Sequence, residues 1–100
     1  DTVITSKQRA YLRGLANGMD ALYQIGKDGI TENMLMQFDN ALEARELIKI
    51  TVLKNAFLDP KETLSDLAEA LNAEPVSAVG LKIVLYRESR KNKQITLPKK

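Results

Sequence analysis

Apolar positions along the chain change their period several times, and the changes mark out the elements. Tyr11, Leu12, Leu15 and Ala16 recur at helical spacing, which predicts a helix over residues 6–16. Thr5-Ser6-Lys7-Gln8 has the form of a capping box, a hydroxyl able to accept a backbone N–H with a glutamine three residues on. Asn17-Gly18 closes the helix, Gly being suited to a left-handed C-cap. Residues 21–25 (ALYQI) read as a short strand, followed by the tight loop Gly26-Lys27-Asp28-Gly29. Met34, Leu35, Phe38, Ala41 and Leu42 fall on one side of a second helix over residues 32–44, with Thr31 as its N-cap. Met36 lies on the other side, where an isolated apolar residue is ordinary surface.

The period then drops to two. Residues 47–53 (LIKITVL) place Ile48, Ile50 and Val52 on one face of a β-branched strand that reads as central in a sheet. Asp59-Pro60-Lys61-Glu62 follows: a capping Asp, Pro at the first helical position and Glu three past the cap. It opens a third helix ending near Leu71, with Leu64, Leu67, Ala68 and Leu71 inward. Residues 76–79 and 82–86 form a hairpin about Gly80, and residues 87–100 (RESRKNKQITLPKK) are a basic tail with a small apolar insert at Ile95 and Leu97. The order α-β-α-β-α-β-β predicts an α+β (mixed α/β) fold: a four-stranded mixed sheet packed with three helices.

Composition narrows the chemistry. One hundred residues, 44% hydrophobic and 28% charged, fit a single domain over residues 1–100. The chain holds neither Cys nor His, which excludes disulfides, thiolate ligands, a standard zinc site and a histidine-based triad. Acids such as Glu43, Glu46, Asp59, Glu62, Asp66, Glu69 and Glu74 sit mostly at helix starts or on exposed faces, where caps and the helix dipole account for them. We therefore expect no enzyme, no cofactor and no metal. No apolar run approaches a membrane span of about 20 residues. The opening DTVITSKQ lacks a signal-peptide layout, so a cytoplasmic or organelle-stromal protein is expected, its start on Asp1 fitting a processed or trimmed chain.

The net charge of +2 hides an asymmetry. Residues 30–80 are acidic, whereas residues 81–100 carry seven basic groups against Glu88 alone. A positive end on an acidic middle suits a polyanion, or is simply a solvated lysine-rich tail. Two constellations give the first reading content. In the 26–29 loop, two glycines let backbone amides approach a bound group, the helix that follows offers free N–H groups, and Lys27 adds a charge: a phosphate cradle. A bare G-x-x-G also serves as a plain turn, and Asp28 is unfavourable beside a phosphate unless it points away. The second constellation is Lys82, Arg87, Arg90, Lys91 and Lys93 around Tyr86, a mixture able to hold a nucleic-acid backbone. Tyr86 itself reads better as core with its hydroxyl at the rim. Lys7, Arg9 and Arg13 of the first helix would complete one basic ridge if the three regions converge.

Several ordered segments together resemble the YhbY-like ribosome-assembly RNA-binding proteins, the stand-alone form of the CRM domain (chloroplast RNA splicing and ribosome maturation). They are residues 6–16 (SKQRAYLRGLA), 25–31 (IGKDGIT), 46–49 (ELIK), Val79-Gly80 with 83–87 (IVLYR), and 95–98 (ITLP). The resemblance implies a fold like the C-terminal domain of translation initiation factor three and a G-x-x-G loop comparable to that of KH domains, which clamp the nucleic-acid backbone. It also implies a role on precursors of the large ribosomal subunit, carried by Gly26, Lys27 and Gly29 with support from Arg87 and the tail. Many relatives place a basic residue directly after the hairpin glycine. Here Leu81 stands there and Lys82 follows, so alternation turns the charge to the opposite face.

The expectation is a monomeric, non-catalytic protein that grips ribosomal RNA through about five phosphate contacts, with a salt slope between about −3.5 and −4.5. Ribosomal proteins are further expected partners. The alternative is a protein-docking module on a pre-ribosomal particle with only non-specific attraction for RNA. A duplex-DNA reader would need a helix-turn-helix pair that the sequence lacks.

Overall fold

The structure, a computed structural model, describes residues 4–98, so residues 1–3, Asp1 among them, and the tail's Lys99 and Lys100 lie outside the described residues. The elements are α1 (Ser6–Asn17), β1 (Tyr23–Ile25), α2 (Glu32–Arg45), β2 (Leu47–Val52), a 3-10 turn (Lys54–Ala56), α3 (Pro60–Leu71), β3 (Glu74–Val79) and β4 (Lys82–Tyr86). The order is the predicted one. The sheet runs β1-β2-β4-β3, with β1 parallel to β2 and β4 antiparallel to both its neighbours. β2 is central, as its β-branched composition requires.

Alternation along β2 and β4 sets the layers. Ile48, Ile50 and Val52, with Ile25, Ile83 and Leu85, turn to one face, where Phe38 and Leu42 of α2 and Leu64, Leu67 and Leu71 of α3 cover them. The opposite face carries Leu47, Val84 and Tyr86 beneath Leu12 and Ala16 of α1. Ile95 and Leu97 pack on this second cluster, so the apolar insert of the tail is part of the core. Burying one such large side chain contributes about 1.5–3 kcal/mol, enough to fix which face each strand turns inward.

The caps form as their residues dictate. Thr5 accepts from the Gln8 amide at 3.1 Å while the Gln8 side chain accepts from the Thr5 amide at 3.0 Å. Asp59 accepts from the Glu62 amide at 3.1 Å, with Pro60 at the first helical position. The end of α1 differs from expectation. Gly18 has φ −93°, not a left-handed value, and the helix closes through tight bonds from Gly18 to Leu15 and from Met19 to Ala16. The Lys49 ammonium makes this ending stable by donating to the Ala16 and Met19 carbonyls at 3.0 and 3.3 Å. β3 begins at Glu74, two residues earlier than the alternation implies, because an edge strand tolerates Pro75 and a register shift between Pro75 and Ser77 absorbs the irregularity.

Candidate nucleic-acid interface

The sheet has two rims. One is formed where β1 and β2 end and β4 begins: Ile25 lies beside Val52, Thr51 beside Lys82, and the Val52 amide donates to Leu81 at 2.7 Å. The 26–29 loop, the 3-10 turn and the β3–β4 hairpin stand here. At the other rim β2 begins and β4 ends, with Leu47 beside Tyr86 and Tyr86 beside Glu74. Five strand residues, about 17 Å, separate the two.

In the loop, the Gly29 amide donates to the Gly26 carbonyl at 2.9 Å, closing a turn that presents Lys27 and Asp28 to solvent. Gly29 has φ +70°, a conformation that side-chain-bearing residues rarely adopt. Thr31 caps α2 by accepting from the Met34 amide at 3.1 Å, which leaves the Glu32 and Asn33 amides of the first turn without intrahelical partners. Glu32 at that turn and Asp28 temper the positive field of the helix end. Two further exposed cations share the rim, Lys54 in the 3-10 turn and Lys82 on β4. Lys82 turns to the α1 side of the sheet, as alternation required, where it lines a shallow cleft of about 140 Å³ with Ala16, Asn17, Lys49 and Val79. Lys54 was not among the residues the sequence singled out, although its place just beyond a parallel strand was a usable signal.

The other predicted cations stand elsewhere, so the expected single ridge is divided. α2, 14 residues and about 21 Å long, has the loop at its N-terminus and the tail at its C-terminus. Glu43 and Glu46 hold the tail there. Glu46, fully buried, accepts from the amides of Ser89, Gln94 and Ile95, each at 2.7 Å. Glu43 accepts from the Ser89 hydroxyl at 2.7 Å and from the amides of Arg90 and Lys91. The Ser89 hydroxyl, then the Lys91 and Arg90 amides, lower the Glu43 carboxyl below its ordinary 4.5. Arg90 and Lys91 are exposed at this far rim, and Lys93 stands 4.0 Å from Glu88 in a solvated pair.

Arg87, expected as a supporting RNA contact, is engaged within the fold. Its guanidinium donates to the Asp39 carboxylate at 2.7 Å and to the Leu71 and Asp39 carbonyls at 2.9 Å each, tying α2 to the end of α3. Strand alternation turns it to the face covered by α2 and α3, where it is held by the fold. Tyr86 is buried on the opposite face and its hydroxyl is pushed up to about 12, first by burial and then by Glu46 and Glu88. It is core and does not present its ring to a partner. On α1, Arg9 donates to the Pro75 carbonyl at 3.2 Å and so flanks β3, while Lys7 and Arg13 are exposed. Among the described residues no cluster of three or more Asp or Glu forms a cation site, and no helix is long and apolar enough to cross a membrane.

The sequence and fold have known counterparts. A family model for the CRS1 / YhbY (CRM) domain matches residues 4–87. The chain is 43% identical over 96 residues to the Probable RNA-binding protein YqeI of Bacillus subtilis, covering 96% of this chain and 100% of that one. A Haemophilus influenzae protein named RNA-binding protein is 33% identical, with 99% of each chain covered. The solution structure of the hypothetical protein SAV1595 from Staphylococcus aureus superposes with a TM-score of 0.81 at 53% identity, covering 96% of this chain and all of that one. With a match spanning both helical layers and every strand, the chain belongs to the CRS1 / YhbY (CRM) domain family.

Proposed function

We propose that this chain is a non-catalytic RNA-binding protein of large-subunit assembly that grips ribosomal RNA at the rim bearing the 26–29 loop. The observation that carries the reading is the glycine-bounded turn at the open N-terminus of α2, with Lys27 exposed on it. Amides without intrahelical partners and a lysine together are complementary to a phosphate. Lys54 and Lys82 on the same rim extend the positive surface along the path of a strand. The names of the Bacillus subtilis and Haemophilus influenzae relatives, both RNA-binding proteins by name, support RNA as the partner. The protein then acts as a cytoplasmic monomer, with Gly26, Gly29 and Lys27 at the centre of the contact and Asp28 turned from the phosphate. Arg13 and Lys7 on α1 and Arg90, Lys91 and Lys93 on the tail are outlying contacts.

The double substitution Lys27→Glu with Lys82→Glu tests this. Both side chains are exposed, so the fold should survive. Affinity for ribosomal RNA fragments at low salt should fall at least about tenfold, and unchanged affinity would refute the assignment. A second reading, docking to protein on a pre-ribosomal particle, is favoured by Tyr11 and Leu15, one turn apart on α1 and 43% and 40% exposed. Under that reading the double variant loses naked RNA yet still sediments with the particle, whereas Tyr11→Glu does not.

A further inference from the structure

Three non-glycine residues of the described chain have positive φ: Glu46, Phe57 and Asn72. Two have a structural return. Glu46 uses its turn to bury a carboxylate among three tail amides, and Asn72 caps α3 with a residue type that tolerates this conformation. Phe57 has none. It ends the 3-10 turn with φ 54° and ψ 37°, its amide donating to Lys54 at 3.2 Å, and it is 93% exposed, more than any other large apolar side chain described. Leu58 after it stands just before the Asp59 cap, where an apolar residue commonly folds onto the helix. Phe57 therefore contributes neither buried area nor a relaxed backbone to the folded state.

Its position supplies a use. The Leu53 amide donates to the Ile25 carbonyl at 2.9 Å, and Leu53 and Asn55 stand in ordinary contact range, 3.6 and 3.8 Å, of where a Cβ on Gly26 would be. The 3-10 turn is thus packed on the glycine loop, Lys54 is exposed within it, and Phe57 is two residues from Asn55, at most about 7 Å along the chain. A glycine-bounded turn, an exposed lysine and an exposed aromatic residue thus belong to one rim of the sheet. Resting on the RNA reading above, we propose that Phe57 is the stacking platform for an unpaired base of the strand whose phosphate sits at the 26–29 loop. Stacking of this kind accepts any base and requires a single-stranded segment, so the site would prefer a loop or bulge over a duplex.

The test uses the full chain and four probes: a uridine dodecamer, an adenosine dodecamer, the same length of abasic strand, and a fully paired RNA duplex. Phe57→Ala should weaken both dodecamers by about 5-fold to 100-fold and leave the abasic strand and the duplex unchanged. Phe57→Trp should retain affinity. Because the chain has no other tryptophan, its fluorescence should be quenched by the dodecamers and not by the abasic strand. Phe57→Leu should behave like Phe57→Ala, and full affinity in the leucine variant would overturn stacking in favour of an apolar contact. Equal binding of Phe57→Ala and the parent, with Lys27→Glu still defective, would overturn the inference while leaving the RNA reading standing. Failure of the parent to bind any probe at low salt would overturn both. A Phe57→Ala chain that no longer melts cooperatively would show that the ring is structural and refute the inference.

Discussion

The two glycines of the 26–29 loop look equivalent in the sequence and are not equivalent in the fold. Gly29 needs its missing Cβ for backbone reasons, since φ is +70° and the space around it is open. Gly26 has an ordinary backbone, and a Cβ there would meet Leu53 and Asn55 at contact distance. Gly29→Ala should therefore cost about 1–2 kcal/mol in denaturant unfolding, whereas Gly26→Ala should be close to neutral for stability; the reverse order would contradict this assignment of strain. Glu46 makes a similar point with opposite sign. Burying a carboxylate is costly unless each oxygen is satisfied, and here one oxygen takes two amides and the other takes one. Glu46→Gln turns one oxygen into an NH2 facing a donor; with the remaining oxygen kept against the Gln94 and Ile95 amides, it should lose about 2–3 kcal/mol, with amide exchange accelerated first at Ser89.

At the scale of elements, the tail is a strap held by carboxylates. The Ser89 hydroxyl and the amides of Lys91 and Arg90 stabilise the ionised form of Glu43, so its folded value lies below the ordinary 4.5. A depressed value contributes stability that is present above the unfolded pKa and lost as pH falls through the folded one. On acidification from neutrality, the Arg90 and Lys91 amide resonances should move with a midpoint below 4.5; a midpoint at or above it would mean that Glu43 does not hold the strap. Elements governed by neighbours in sequence were legible. The Thr5 box and the Asp59-Pro60 cap join residues three apart or fewer, and the β-branched run of β2 announced a central strand. The strap was not legible, because Glu43 and Glu46 meet amides 43 to 49 residues away. Nor was the Arg87 clamp, since Asp39 is 48 residues distant and periodicity says nothing about which charges meet.

For the whole molecule, the same distinction explains how much of the candidate site could be read in advance. The 26–29 loop was legible because strand, glycines and helix cap are contiguous. The expected ridge was not, because its convergence depended on where a tail anchored at the far end of α2 would lie. Charge therefore has to be counted by rim. Lys27, Lys54 and Lys82 share the loop rim, while Arg90, Lys91 and Lys93 stand at the other, about 17 Å away along β2. Each phosphate neutralised on a single strand adds about −0.7 to the slope of log affinity against log salt. A short oligonucleotide held at the loop rim alone should give a slope near −2. Shortening the tail's reach by Arg90→Gln with Lys91→Gln should leave that slope unchanged, whereas Lys82→Gln should reduce it by about 0.7. Longer structured RNA able to pass α1 and reach both rims should approach about −4 and become sensitive to Arg90 and Lys91. A short strand that already shows the steep slope and the tail dependence would mean that the tail leaves its glutamate anchors on binding and that the two rims act as one surface.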